Sequence, residues 1–274
     1  MNEKFDPYVA EWVTFATNSS YSLVQKCLKI AENLEFPNLK INEYLQKLDQ
    51  MGKTLQYSLS DSKNPTYLIS MLNEYLFNTL GFVGDAEDYY NPRNNFLNIV
   101  IDQKRGLPIT LSIIFTELAK HIGLNLQLVG FPGHFLVKYK EEMIFDPFNK
   151  GKLLSNDDLR QLLYQHYGEE VKFSPELLNE IDTKKILFRI LRNLKNSYAQ
   201  SFSYNMAMRC TDMILAIEQN SPEEIRDKGI LESRLLHYDS ALKFLNRYLE
   251  LVPETDDADF VLELIRSIRE KSNL

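Results

Sequence analysis

The stretch Leu107–Leu124, "LPITLSIIFTELAKHIGL", decides the fold. Ile109, Ile113, Leu118 and Ile122 keep a helical period, Pro108 sits in the first turn where an N–H would have no partner to lose, and Gly123 stops the run. The helix is apolar almost all round, so most of its circumference must be buried. The next segments supply the surface for it. "LQLVGF" (126–131), "HFLVKY" (134–139) and "EMIFDPF" (142–148) are short and rich in Val, Leu, Ile, Phe and Tyr. They are parted by "PG" and by the charged "KEE", which are hairpin punctuation. The order helix, strand, strand, strand predicts a central helix on a small antiparallel sheet.

Outward from this core the chain reads as helix, giving an α+β fold that is mainly helical. From Ile41, the residues Tyr44, Leu45, Leu48, Met51 and Leu55 recur at steps of three and four, and similar patterns fill Pro7 to Leu80. "GFVGDAEDYYNPRNNFLN" (81–98) is rich in Gly, Asn and Asp, whose side chains bond to nearby backbone, and reads as a long loop. Beyond Ser155 helices return. "SNDDL" and "SPEEI" each offer a serine cap with an acid three residues later, and Pro222 takes the favoured first position of the second helix. From Pro222, the spacing of Gly229, Ala241, Leu245 and Pro253 resembles a tetratricopeptide helix pair, although Ile225 and Glu232 replace its Trp and Tyr. A looser pair lies upstream at about 184–219, and a final helix runs from Asp256 to Ser272. The expected division is therefore 1–181, with a core at about 81–154, followed by a tetratricopeptide-like array over 182–274.

Composition narrows the function classes. The 274 residues are 44% apolar and 25% charged, as in folded globular chains, and the net charge of −7 argues against a broad nucleic-acid or anionic-membrane surface. No apolar run reaches the length of a transmembrane helix, and "MNEKFDPYVAEW" lacks the order of a secretory signal, so a cytoplasmic chain is expected. Cys27 and Cys210 lie in apolar-periodic segments without ligand spacing and read as buried, reduced thiols. His121, His134, His166 and Asp146 also lack metal-ligand spacing, and His121 and His166 read as exposed helix ends. Neither a metal nor a cofactor is expected.

His134 is one of four histidines and lies between apolar strand residues, where a satisfied structural role is the commoner outcome. Its context adds a second reading. A buried helix opening after a Gly, a strand carrying His and a strand ending in Asp-Pro follow the chain order of Cys-His-Asp enzymes. In full, "YYNPRNNFLNIVIDQKRGLPITLSIIFTELAKHIGLNLQLVGFPGHFLVKY" (89–139) followed by "IFDPFNKGKLL" (144–154) closely resembles the SirB-type family of bacterial proteins. In that family a transglutaminase-like domain precedes tetratricopeptide-like helices. The resemblance implies a papain-like arrangement, with His134 and Asp146 in the places of the catalytic histidine and aspartate. Active relatives carry a Gly-x-Cys pattern at the helix start. Here the residues are Gly106, Leu107 and Pro108, so a proline stands where the resemblance puts the nucleophile, with neither an attacking atom nor an N–H for an oxyanion.

Thr110 is the nearest substitute, because at roughly 100° per residue it rather than Ser112 turns toward the strand bearing His134. Its competing role is a hydroxyl bonded to a preceding carbonyl. In the loop, Asn91, Asn94, Asn95 and Asn98 can satisfy backbone groups, and Arg93 can meet a carboxylate such as Asp102 or Asp146. A ligand-contact alternative has Arg93, Asn95 and His134 lining a residual cleft. Two function classes follow. One is a non-catalytic module that engages a protein partner through its tetratricopeptide-like helices. The other is a hydrolase or acyl-transfer enzyme using His134 and Asp146 with water or Thr110. The missing cysteine favours the first.

Overall fold

The fold comes from a computed structural model, which describes residues 7–59, 64–141 and 143–272. The first six of the residues read for a signal, and Glu142 of the expected turn, lie outside the described residues. The chain forms two compact units, Ser19–Ile190 and a second made of residues 7–18 with residues 191–272. The division falls after Ile190 rather than Ile181, and the first helix groups with the C-terminal part.

In the Ser19–Ile190 unit, the helices form where local signals start them. The second helix of the chain, α2 (Leu23–Leu34), opens on a reciprocal cap between Ser22 and Gln25, and α3 (Ile41–Tyr57) buries Leu48 and Leu55. Asn64 caps α4 (Pro65–Asn73), which runs on into a π-helical segment at Glu74–Thr79. The expected long loop is more structured than its composition suggests. It holds β1 (Val83–Gly84), a 3-10 turn (Pro92–Asn95) and the start of α5 (Leu97–Gln103), and β1 pairs in parallel with β2 (Arg105–Gly106). Two-residue strands carry no readable alternation, so composition alone missed them.

The apolar helix is α6 (Pro108–His121). Of its residues only Glu117, Lys120 and His121 escape burial. It packs against α3 and against the strands β3 (Gln127–Val129) and β4 (Leu136–Tyr139). With β5 (Met143–Asp146) and β6 (Lys152–Leu154), these form a four-stranded antiparallel sheet in chain order. The register sets Leu128 beside Val137 and Val137 beside Phe145, so these residues share one face. Val129, Leu136, Ile144 and Leu154 join Leu159 and Leu163 of α7 (Asn156–Tyr167) in a separate apolar cluster. β6 was not expected, because "KLL" is too short to show a period and Leu153 faces outward.

Ser155 and Asp158 cap α7 reciprocally, as read. Ser221 does not cap its helix. Its partner Glu224 is fully buried and turned to Arg192 Nε at 2.7 Å and Lys195 Nζ at 2.8 Å, so tertiary ion pairing displaces the cap. His121 is not a free helix end either, since its ring lies against Gly52, where an added Cβ would come 2.2 Å from the ring.

The second unit contains α1 (Pro7–Thr17), the latter part of α8 (Thr183–Gln200), α9 (Tyr204–Leu215), α10 (Pro222–Arg234), α11 (Tyr238–Leu251) and α12 (Ala258–Ser272). α1 belongs here because Trp12 is fully buried and its indole donates to the Met213 carbonyl at 2.8 Å. In the tetratricopeptide-like pair α10–α11, a Cβ on Gly229 would fall 2.7 Å from Leu245 Cγ, which explains the small residue at that position. Ile225, Ala241, Phe244, Leu245 and Val261 fill the core between these helices and α12.

Candidate functional site

The site begins with a turn. Phe131-Pro132-Gly133-His134 reverses the chain with Gly133 at φ +70° and the His134 N–H donating to the Phe131 carbonyl at 3.0 Å. On the neighbouring strand, Asp146 ends β5 and caps the 3-10 turn Pro147–Asn149. Its Oδ1 accepts from the N–H groups of Phe148 and Asn149 at 3.0 and 3.3 Å, and its Oδ2 accepts from Asn149 Nδ2 at 2.7 Å.

The fold brings the two residues together. His134 Nε2 lies 2.9 Å from Asp146 Oδ2, with His134 7% and Asp146 1% exposed. The ring N–H does not line up on the carboxylate and has no other partner among the described residues, so the contact is chiefly electrostatic. Burial pushes the Asp146 carboxyl up, but His134, Asn149 and the Asn149 backbone N–H outweigh burial and hold it below the usual carboxylate range. The imidazole edge also meets Phe148, with ring centres 6.0 Å apart.

Contacts link this pair to the start of α6. Phe148 packs on Gly84, where an added Cβ would lie 2.6 Å from the ring, and Gly84 pairs with Gly106, two residues before Pro108. Pro108 is buried as the first residue of α6. Thr110 is fully buried, its hydroxyl directed to the carbonyls of Leu107 and Asn94 at 3.1 and 3.2 Å while accepting the Leu107 N–H at 3.0 Å. This is the backbone-bonded role weighed against catalysis. The thiols offer no replacement: burial pushes Cys27 up to about 12, and Cys210, raised by the same cause, lies in the other unit.

The loop residues divide differently from expectation. Arg93 is exposed and makes no ion pair among the described residues. Its expected partners are taken: Asp102 accepts from the Tyr44 hydroxyl and Lys47, both at 2.6 Å, and Asp146 is bonded as above. Arg105 supplies ion pairs to the loop, with Asp85 at 3.3 Å and Glu87 at 3.4 Å. Asn91 and Asn94 satisfy local groups, as read, the second reaching the Asp88 carbonyl at 2.8 Å. Asn95 is 2% exposed with neither amide atom bonded among the described residues. The residue that sequence reading missed is Arg189 of α8. It donates to the Phe131 carbonyl from both terminal nitrogens at 3.1 Å and to the His134 carbonyl at 2.6 Å. It lies 55 residues from His134, in a helix assigned to the repeat region, so no local signal could have marked it.

With this geometry in place, comparison with known proteins is decisive. A model of the transglutaminase-like superfamily matches residues 42–192, and one of the tetratricopeptide repeat matches residues 194–266. The UPF0162 protein of Xylella fastidiosa (strain 9a5c) is 36% identical, over 91% of this chain and 92% of its own length. The chain belongs to the UPF0162 family. A second family member, from Vibrio cholerae serotype O1, is 29% identical over 71% of this chain and 73% of its own. Mouse F-box only protein 21 is 29% identical over 46% of this chain and 21% of its own length. This UPF0162-family chain, SirB-type as its motifs implied, is thus a transglutaminase-like domain followed by tetratricopeptide-like helices. Among the described residues, no helix is long and apolar enough to cross a membrane, and no three His, Cys, Asp or Glu side chains group to hold a metal.

Proposed function

We propose that the protein is a non-catalytic member of the transglutaminase-like superfamily, acting as a protein-binding scaffold, with Pro108 in the place of the nucleophile. The supporting observation is the state of Thr110, the two thiols and Pro108. Thr110 is bonded to backbone, both thiols are buried, and Pro108 has no heteroatom on its side chain. His134 and Asp146 then form a pair with nothing to activate. A cytoplasmic setting fits two cysteines left free and buried.

The tetratricopeptide-like unit supplies a partner surface. Leu236 and Phe260, 68% and 54% exposed, border a groove of about 270 Å³ with Arg234 and Lys271, neither of which makes an ion pair among the described residues. The groove suits a polypeptide carrying apolar side chains next to acidic ones.

A second reading has one observation in its favour. Asp146 and Asn149, though not His134, border a polar recess of about 300 Å³, which brings water to the carboxylate side of the pair. One experiment separates the two. The full chain and its His134→Ala variant are incubated with amide and ester substrates and with an acylating probe, then read by product release and intact mass. The scaffold reading expects no turnover or adduct that depends on His134. Either one, lost in the variant, overturns it.

A further inference from the structure

The geometry points to a carboxylate-binding site built on Arg189 beside His134, which takes an acidic group carried by a polypeptide. Arg189 is half-buried, and no acid lies within ion-pair distance among the described residues. A guanidinium stays charged in proteins, and a charge removed from water is normally paired. Three of its donor contacts go to the carbonyls of Phe131 and His134, which carry no net charge to balance it. The ring of Phe135 lies 5.4 Å from the guanidinium, and the phenols of Tyr89 and Tyr167 are within electrostatic range of it.

What surrounds the cation is donor-rich and aromatic. Neither the Tyr89 nor the Tyr167 hydroxyl is hydrogen-bonded among the described residues, and both side chains are part-exposed. The His166 ring stands on Gly133, where an added Cβ would lie 2.6 Å away, so a second imidazole flanks the turn. Tyr89 continues the rim through Phe148, with ring centres 6.0 Å apart. The carboxylate in this cluster, Asp146, is already held by Asn149, backbone N–H groups and His134. Asp146 makes no ion pair with Arg189, so among the described residues the guanidinium has no direct counter-charge. A flat carboxylate at the guanidinium supplies that charge and accepts its spare N–H groups, with the two phenols as further donors on the same side of the turn.

The site deepens the scaffold reading and rests on it in one respect, that the bound group leaves unaltered. The test uses the full chain, N-acetyl-Ala-Tyr-Glu with free carboxylates, and the same peptide with Gln and an amidated end. Binding is followed by NMR at the Arg189 Nε–H and His134 ring signals, and the peptide is weighed afterwards. The acid is expected to shift both signals and to bind about tenfold tighter than the amide or more. Tyr167→Phe is expected to weaken the acid selectively while the melting temperature holds, a control needed because Arg189→Gln also removes the turn's brace. Equal binding of acid and amide, no shift at millimolar peptide, or preferential displacement by inorganic phosphate overturns the site. Cleaved peptide with normal acid selectivity instead overturns the scaffold reading and leaves the site standing.

Discussion

Asp146 Oδ2 faces two nitrogens at once, Asn149 Nδ2 at 2.7 Å and His134 Nε2 at 2.9 Å, while Oδ1 caps two backbone N–H groups. The carboxylate therefore holds more structure than the imidazole does. Asp146→Ala is expected to destabilise the protein by about 1–3 kcal/mol, because it removes the acceptor of three part-buried hydrogen bonds at once. His134→Ala removes one poorly aligned contact and is expected to cost less, about 1–2 kcal/mol. Urea unfolding measures both, and equal losses would show that the imidazole is a structural equal of the acid.

Acid should expose the same asymmetry. Asp146 is held below the carboxylate range, and Asp257 is lowered to about 2, where burial is outweighed by bonds from Tyr248, Thr255 and Arg226. A carboxyl whose folded value lies below its unfolded value, ordinarily about 3.9, stabilises the protein above that unfolded value and loses the contribution as pH falls through the folded one. Stability is thus expected to be flat near neutral pH and to fall below about pH 4. The gap between wild type and Asp257→Asn should narrow over that acid range. A gap constant from neutral pH into acid would contradict the lowered value.

Gly229 offers a steric test of the tetratricopeptide-like pair. A methyl group there meets Leu245 Cγ at 2.7 Å and the Leu245 backbone nitrogen at 3.1 Å, and backbone cannot yield as a flexible side chain can. Gly229→Ala gains about 1 kcal/mol of helix propensity but should lose about 1–3 kcal/mol to overpacking. The expected net result is destabilisation, read from the unfolding midpoint. A stabilised variant would mean that α10 and α11 pack less closely than described.

How far the sequence could be read follows from where each signal resides. α6 was legible because an apolar helical period, a proline start and a glycine stop all lie within one segment. β3 to β5 were legible from two hairpin punctuations. β1, β2 and β6 are two or three residues long and exist through pairing with distant chain, which no window records. Glu224 looked like a cap because its local spacing fits one, but two cations from α8 hold it instead. The same contrast governs the candidate site. His134 and Asp146 were marked by chain order, whereas Arg93 drew notice from its crowded loop and lies exposed, with no acid partner among the described residues. Arg189 reaches the site only through tertiary folding.

Pro108 allows the framework to be tested by restoring what the resemblance says is missing. Pro108→Cys places a thiol at the N-terminus of α6, where aligned N–H groups favour a thiolate, and it restores the backbone N–H that proline lacks. Proline is compatible with the first turn but not required there, so the melting temperature should change little. The variant is expected to take an acetyl group from p-nitrophenyl acetate at least about ten times faster than the parent chain, in a reaction that His134→Ala slows. Peptide mapping should place the adduct at position 108 and spare Cys27 and Cys210, whose pKa values burial raises so that they stay neutral thiols. If the new thiol reacts no faster than those two, or reacts equally well without His134, then Pro108 does not occupy the nucleophile's place, and the proline is simply a helix start.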